Sequence, residues 1–92
     1  MIELIKRDKA INMIKQSEGK IFAVDFVKKD KTRRHMLCRR GVTSYLKGGE
    51  LKYNPEEKAL VVVFDMQKKD YRMINLETLF KMKMNHKTYF VF

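Results

Sequence analysis

The sequence has few of the residues that usually build special sites. Its 92 residues include one cysteine, two histidines, one proline, four glycines and no tryptophan. The single cysteine, Cys38, excludes an internal disulfide and a zinc site built from several cysteines, and it fits a reducing compartment. The histidines, His35 and His86, stand at no spacing typical of a metal site or a catalytic triad. We therefore expect no cofactor and no enzymatic activity.

Long hydrophobic runs are also missing. No segment approaches the roughly 20 apolar residues that a membrane-spanning helix requires. The opening heptapeptide MIELIKR lacks the apolar stretch and the small-residue cleavage site of a signal peptide. These features predict a soluble, cytoplasmic protein with no membrane partner.

Positive charge is abundant. Lysine and arginine number 21 against 11 acidic residues, which gives a formal net charge of +10. Self-repulsion of this size destabilises a compact fold, and a polyanionic partner relieves it. Nucleic acid is the commonest such partner, and an acidic protein surface is the alternative. Because 45% of the residues are hydrophobic, the chain has enough apolar material for one packed core, and we expect a single domain over residues 1–92.

The densest positive charge lies between residues 28 and 40, where a turn leads into a strand. Arginine and lysine held along a strand suit phosphate contact, arginine better because its guanidinium bonds two oxygens at once. Exposed tyrosines beside turns suit the stacking of unpaired bases, although tyrosines also fill barrel ends. The candidate binding residues are Lys28, Lys29, Lys31, Arg33, Arg34, Arg39, Arg40, Lys47, Lys68, Lys69, Arg72, Tyr45 and Tyr53.

Local patterns predict a helix over residues 1–18 and strands over 20–27, 33–40, 59–64, 71–74 and 80–84. Leu4, Ala10, Ile11 and Ile14 share one side of a helical wheel, which favours the helix. Alternation of apolar and polar residues indicates the strands. A long segment over 41–58, a helical turn at 75–79 and an edge strand or tail over 85–92 complete the chain. Short, closely linked strands favour a mainly β, SH3-like or Sm-like barrel of five strands with an N-terminal helix.

Two strand positions have a predicted orientation. In the strand over 33–40, Met36 and Cys38 are the expected inward pair, which makes Cys38 a buried core thiol. Asp25 and Asp65 lie on or beside apolar strands, and we interpret them as partners of nearby arginines rather than as a catalytic pair.

Three blocks carry a resemblance to a known family. The segments CRRGV (38–42), LKGG (46–49) and FDMQKKDYRMIN (64–75) resemble, in sequence and spacing, a family of small bacteriophage proteins described as SH3-like β-barrels of unknown function. The resemblance spans about residues 19–84. It implies an SH3-like barrel over that range and a phage origin, and it implies no activity.

The hypothesis that unites these features is a phage-encoded, non-catalytic module that binds nucleic acid through the arginine-rich strand and the adjoining turns. The alternative is a regulator or inhibitor in which the same residues dock on an acidic host protein, such as a polymerase, a nuclease or a defence component. Sequence preference, the choice between DNA and RNA, and homo-oligomer formation are left open.

Overall fold

The computed structural model describes residues 2–17, 19–40 and 60–92. In this part of the chain one short helix, α1, covers Arg7–Lys15, and the strands are β1 (Ile2–Ile5), β2 (Phe22–Val27), β3 (Arg33–Arg39), β4 (Leu60–Asp65), β5 (Asp70–Asn75), β6 (Lys81–Met84) and β7 (Lys87–Val91). The fold is mainly β, as the alternating segments predict. Its helix is too short and too polar to span a membrane.

The seven strands form one sheet in the order β1-β7-β6-β2-β3-β4-β5. The prediction of five strands is wrong, since the described residues form seven. The sheet is also not closed into a barrel, because β1 and β5 are its two edges and do not pair with each other. The sheet nevertheless curves. The evidence is that side chains of β2, β3 and β5, which are not all neighbouring strands, line one cavity. Strand twist accumulates across a sheet of this width and brings distant strands toward each other.

The N-terminal segment differs from its prediction. Residues 2–5 are the strand β1, and the helix begins only at Arg7. Ala10 and Ile14 are fully buried as predicted, but Leu4, which was expected beside them, is 74% exposed, and Ile5 is the buried residue instead. The physical reason is tertiary: β1 pairs in parallel with β7, so backbone groups that a helix would bond internally bond a strand about 86 residues away in sequence.

The C-terminal segment also differs from its prediction. Residues 87–91 form a strand, but β7 is an interior strand and not an edge, because it lies between β1 and β6. Its register places Phe90 beside Lys81 on one side and Leu4 on the other. Tyr89 and Val91 are consequently buried in the core.

Two arginines fasten α1 to the sheet and its turns. Arg7 Nη1 donates hydrogen bonds to the carbonyl oxygens of Leu76 at 2.6 Å and Leu79 at 2.8 Å. Arg40 Nη1 donates to the carbonyl oxygen of Lys15 at 2.7 Å, at the C-terminal end of the helix. A cation there satisfies carbonyls that have no partner within the helix and complements the helix dipole.

Candidate nucleic-acid interface

Three predicted cations meet at one concave site. A cavity of about 370 Å³ is lined by Lys28 at the end of β2, Arg34 on β3 and Arg72 on β5, together with the side chains Phe26, Met36 and Met73. We call this the basic mouth. The turns at 28–32 and 66–69 connect different pairs of strands. The curvature of the sheet nevertheless brings Lys28, from the first turn, and Arg72, close to the second, to the same opening. A volume of this size accommodates a nucleotide-sized group.

Arg34 is held by a buried carboxylate. Its Nη2 lies 3.1 Å from Asp65 Oδ2, and Asp65 is only 2% exposed. Asp65 Oδ1 accepts hydrogen bonds from the backbone N–H groups of Gln67 at 2.9 Å and Lys68 at 3.0 Å. Burial acts to raise the pKa of Asp65, but these two N–H groups and the Arg34 guanidinium outweigh it, so the pKa lies below its ordinary value.

Arg72 and Lys28 are held less firmly. Arg72 Nη1 lies 3.5 Å from Asp70 Oδ2, and Lys28 Nζ lies 3.9 Å from Asp30 Oδ2, with every one of these side chains at least 43% exposed. Exposed ion pairs of this kind contribute little to stability and exchange readily with other partners. Both cations can therefore turn toward an anion, while Arg34 keeps its remaining guanidinium donors available to the cavity.

Four further lysines of the predicted site are among the described residues, and they lie on turns outside the basic mouth. Lys29 and Lys31 are exposed in the β2–β3 turn, and Lys68 and Lys69 are exposed in the β4–β5 turn. Lys31 and Lys69 have backbone φ angles of 72° and 54°, which these tight turns require. Their charges contribute to the field around the mouth, but they do not line it.

The arginines of β3 do not form one surface. Arg34 shares the inner face with the buried Met36 and Cys38, whereas Arg33 and Arg39 lie on the opposite face. The Arg33 guanidinium carbon lies 5.6 Å from the centre of the Phe80 ring. Among the described residues, the buried Nε of Arg39 has no hydrogen-bond partner. The four arginines of the predicted binding strand therefore lie at three separate locations, since Arg40 caps α1.

Three predicted residues, Tyr45, Lys47 and Tyr53, lie outside the described residues. The same holds for the LKGG block of the family resemblance and for Pro55. Tyr71, the other tyrosine beside a turn, packs edge-on against Phe64 with ring centres 5.5 Å apart, so its ring belongs to the packing around β4 and β5.

The apolar floor of the mouth was missed by sequence reasoning. Phe26 and Met36 were expected to face the core, which they do, at 5% and 1% exposure. That these side chains also underlie a cavity follows only from how far the sheet curves. The sequence pattern that could have indicated the site is a cation two residues from a buried apolar residue, and therefore on the same face of the strand. Phe26 with Lys28 and Arg34 with Met36 are the two examples.

The two aspartates singled out in the sequence have separate partners. Asp25 Oδ1 lies 2.8 Å from His35 Nδ1 across the β2–β3 pair, and Asp65 contacts Arg34. The prediction that Asp65 pairs with an arginine is confirmed, whereas Asp25 contacts a histidine instead. They do not form a carboxylate pair, because they serve opposite faces of the sheet.

Cys38 is fully buried, as its alternation with Met36 predicts. Burial, with a smaller contribution from the charge of Asp65, raises the pKa of its thiol to about 12. Because the thiolate is the reactive species, we expect the native protein to resist iodoacetamide at pH 8 and the urea-unfolded protein to react fully. Mass spectrometry after timed quenching measures both states. Rapid labelling of the native protein would contradict the burial of this side chain.

A comparison with protein-family models matches residues 10–80 to WYL_2, described as an Sm-like SH3 beta-barrel fold. No curated protein and no solved structure matches the chain significantly. The matched range includes α1 from Ala10, the strands β2 to β5 and every residue that lines the basic mouth. Since the matched segment covers well over half of the 92 residues, this chain belongs to the WYL_2 family, and the open sheet described above is its form of that fold.

Proposed function

We propose that this protein is a non-catalytic module that binds single-stranded nucleic acid at the basic mouth. The observation that carries the proposal is the convergence of Lys28, which follows β2, Arg34 of β3 and Arg72 of β5 around a cavity with an apolar floor. Cations at the rim suit the phosphates of a strand, and Phe26 and the methionines suit the face of a base.

Single strands fit this arrangement better than a duplex. A base reaches the floor of the cavity only if it is unstacked and unpaired, which costs little in a single strand and several kcal/mol in a duplex. The net charge of +10 and the exposed lysines of both turns supply long-range attraction for either form. The cavity is therefore the feature that discriminates between them.

The proposal includes a phage origin and a cytoplasmic location. Support for the origin is the resemblance of the blocks at 38–42, 46–49 and 64–75 to small bacteriophage proteins, and support for the location is the single, buried cysteine. Under the alternative, the same cations dock on an acidic host protein, and oligonucleotides then bind weakly and without preference for single strands.

The test is a titration of fluorescein-labelled 20-nucleotide single strands and a matched duplex, read by fluorescence anisotropy between 50 and 200 mM salt. Three phosphate contacts on a single strand predict a log–log slope of about −2 and a roughly 20-fold loss of affinity over this range. We expect the single strand to bind more tightly than the duplex at every salt concentration. Tighter binding of the duplex, or an affinity indifferent to salt, would contradict the proposal.

A further inference from the structure

The face of the sheet that points away from the core carries several exposed apolar side chains. We call it the outer face, and it comprises the outward side chains of β1, β7, β6, β2 and β3. All of the large hydrophobic side chains that are exposed in the described residues follow the outward alternation of this face, namely Ile2, Leu4, Ile21, Leu37, Phe90 and Phe92. Scattered exposed apolar residues are normal, but their concentration on one face indicates an interaction surface.

Strand register divides this surface into two apolar patches with lysines between them. Leu4 pairs with Phe90, and Phe90 pairs with Lys81. On the other side of β6, Lys83 pairs with Ala23, which pairs with Leu37. The order across this end of the outer face is therefore apolar at β1 and β7, basic at β6, and apolar again at Ala23 and Leu37 of β2 and β3. The rest of the outward side of β3 is basic, with Arg33, His35 and Arg39.

The second apolar patch is concave. A depression of about 550 Å³ has Ile21, Ala23 and Leu37 among its lining residues, with Lys20 and Lys83 beside them. Ile21 is 52% exposed and Leu37 is 36% exposed. Asn85 and His86 also line the depression, so its wall is part apolar and part polar. Its aliphatic side chains can receive an inserted aliphatic or aromatic side chain, which gives shape specificity that a flat apolar surface lacks.

The charge of the outer face is nearly all positive. Its described carboxylate, Asp25, contacts His35 at 2.8 Å. Asp25 stands opposite Lys81 in the β2–β6 register, but among the described residues no carboxylate forms an ion pair with Lys81 or Lys83. Lys81 Nζ lies 5.8 Å from the centre of the Phe90 ring. A partner that supplies carboxylates opposite β6 and apolar side chains on both sides of them complements this face.

We propose that the outer face docks an acidic amphipathic helix of another protein. Helices are the usual cover for an apolar sheet face. A helix that lies across the strands can present apolar, acidic and again apolar side chains along the one face that contacts them. Four of the six exposed apolar residues are aliphatic, which favours protein side chains over nucleic-acid bases. A second copy of this chain fits less well, because face-to-face contact would place the lysines of β6 opposite each other. A membrane fits less well, because a flat bilayer would leave the depression unfilled.

The probe is a fluorescein-labelled 18-residue helix that carries leucines toward both ends of one face and glutamates between them, compared with a scrambled peptide of the same composition. We expect the amphipathic peptide to bind the full chain at least tenfold more tightly than the scrambled one. Lys81→Glu with Lys83→Glu, and separately Leu4→Ser with Ile21→Ser, should each weaken binding at least tenfold. Lys68→Glu with Lys69→Glu is the matched control, because it makes the same charge change on a turn and should cost far less.

Every other occupant gives a distinct result that overturns the proposal. A membrane site predicts binding to vesicles containing phosphatidylserine with no preference between the peptides. A site for a second copy predicts a concentration-dependent dimer, seen by light scattering, that Leu4→Ser with Ile21→Ser abolishes. A nucleic-acid site predicts loss of oligonucleotide affinity in the Lys81 and Lys83 variant without peptide binding. All six substituted positions are solvent-accessible, so we expect each variant to fold, and circular dichroism with the thermal midpoint checks this.

Discussion

Asp65→Ala is expected to lower the free energy of unfolding by roughly 3 kcal/mol, the low end of the range for breaking a buried ion pair. The low end applies because the Arg34 side chain is 28% exposed and recovers some hydration when its partner is removed. The substitution also leaves the N–H groups of Gln67 and Lys68 without their acceptor, which loosens the β4–β5 turn. Urea unfolding at pH 7, followed by far-UV circular dichroism, measures the loss.

The same carboxylate gives the effect a pH dependence of known sign. The pKa of Asp65 is lower in the folded protein than its ordinary value of 3.8, so the unfolded chain binds its proton first as the pH falls. The stabilisation is therefore complete above the ordinary value and disappears as the pH falls through the folded value. We expect the stability difference between the wild type and Asp65→Ala to shrink between about pH 5 and pH 2.

Two controls make the Asp65 result specific. Asp65→Asn keeps an oxygen acceptor for the turn but loses the charge, so its effect should lie between those of the wild type and Asp65→Ala. Asp30→Asn removes a negative charge from the exposed β2–β3 turn and should leave the urea midpoint almost unchanged. Equal effects of Asp30→Asn and Asp65→Ala would show that net charge, and not the buried pair, governs stability.

Lys28→Gln combined with Arg72→Gln is expected to weaken single-strand binding roughly 100-fold at 50 mM salt, at about 1.5 kcal/mol for each lost charge-assisted contact. The log–log salt slope should become less steep by about 1.4, since each phosphate contact on a single strand contributes about 0.7. Arg34 is left in place in this variant, because its removal would leave the buried carboxylate of Asp65 without its cationic partner. Fluorescence anisotropy with the 20-nucleotide strand measures both quantities.

The matched control for the mouth variant is Lys6→Gln with Lys9→Gln. It removes two exposed positive charges at the start of α1, and neither residue lines the cavity. A change in long-range attraction alone would weaken binding equally in the two double variants. An equal loss in both would contradict the basic mouth as the binding site while leaving a general role of charge intact.

Local pattern was sufficient for most strands. The alternation Phe22, Val24 and Phe26 predicted the buried side of β2, and Met36 with Cys38 predicted that of β3; all five are at most 5% exposed. Such assignments succeed because successive side chains of a strand point to opposite faces whatever the strand pairs with. The family resemblance added the SH3-like fold, which the family match now supports.

Local pattern failed where the deciding contact was distant. Residues 2–5 satisfy a helical wheel about as well as a strand, and the parallel pairing with β7 decides between them. Arg40 looked like one more member of a basic strand, but its donors are used by the carbonyls of Lys15 and Ile14. The residue spacing within 2–5, or around Arg40, does not show which distant strand or helix the segment contacts.

The sequence by itself determined which side of β2 and β3 is apolar, that Cys38 is a core thiol, and that the chain is strongly basic. Only the tertiary structure decided that Lys28, Arg34 and Arg72 share one cavity, that β7 is interior, and that the exposed apolar residues follow one face. The physical reason is that alternation fixes the orientation of a side chain relative to its own strand. Which strands become neighbours, and how far the sheet curves, depend on pairing and packing among residues far apart in sequence.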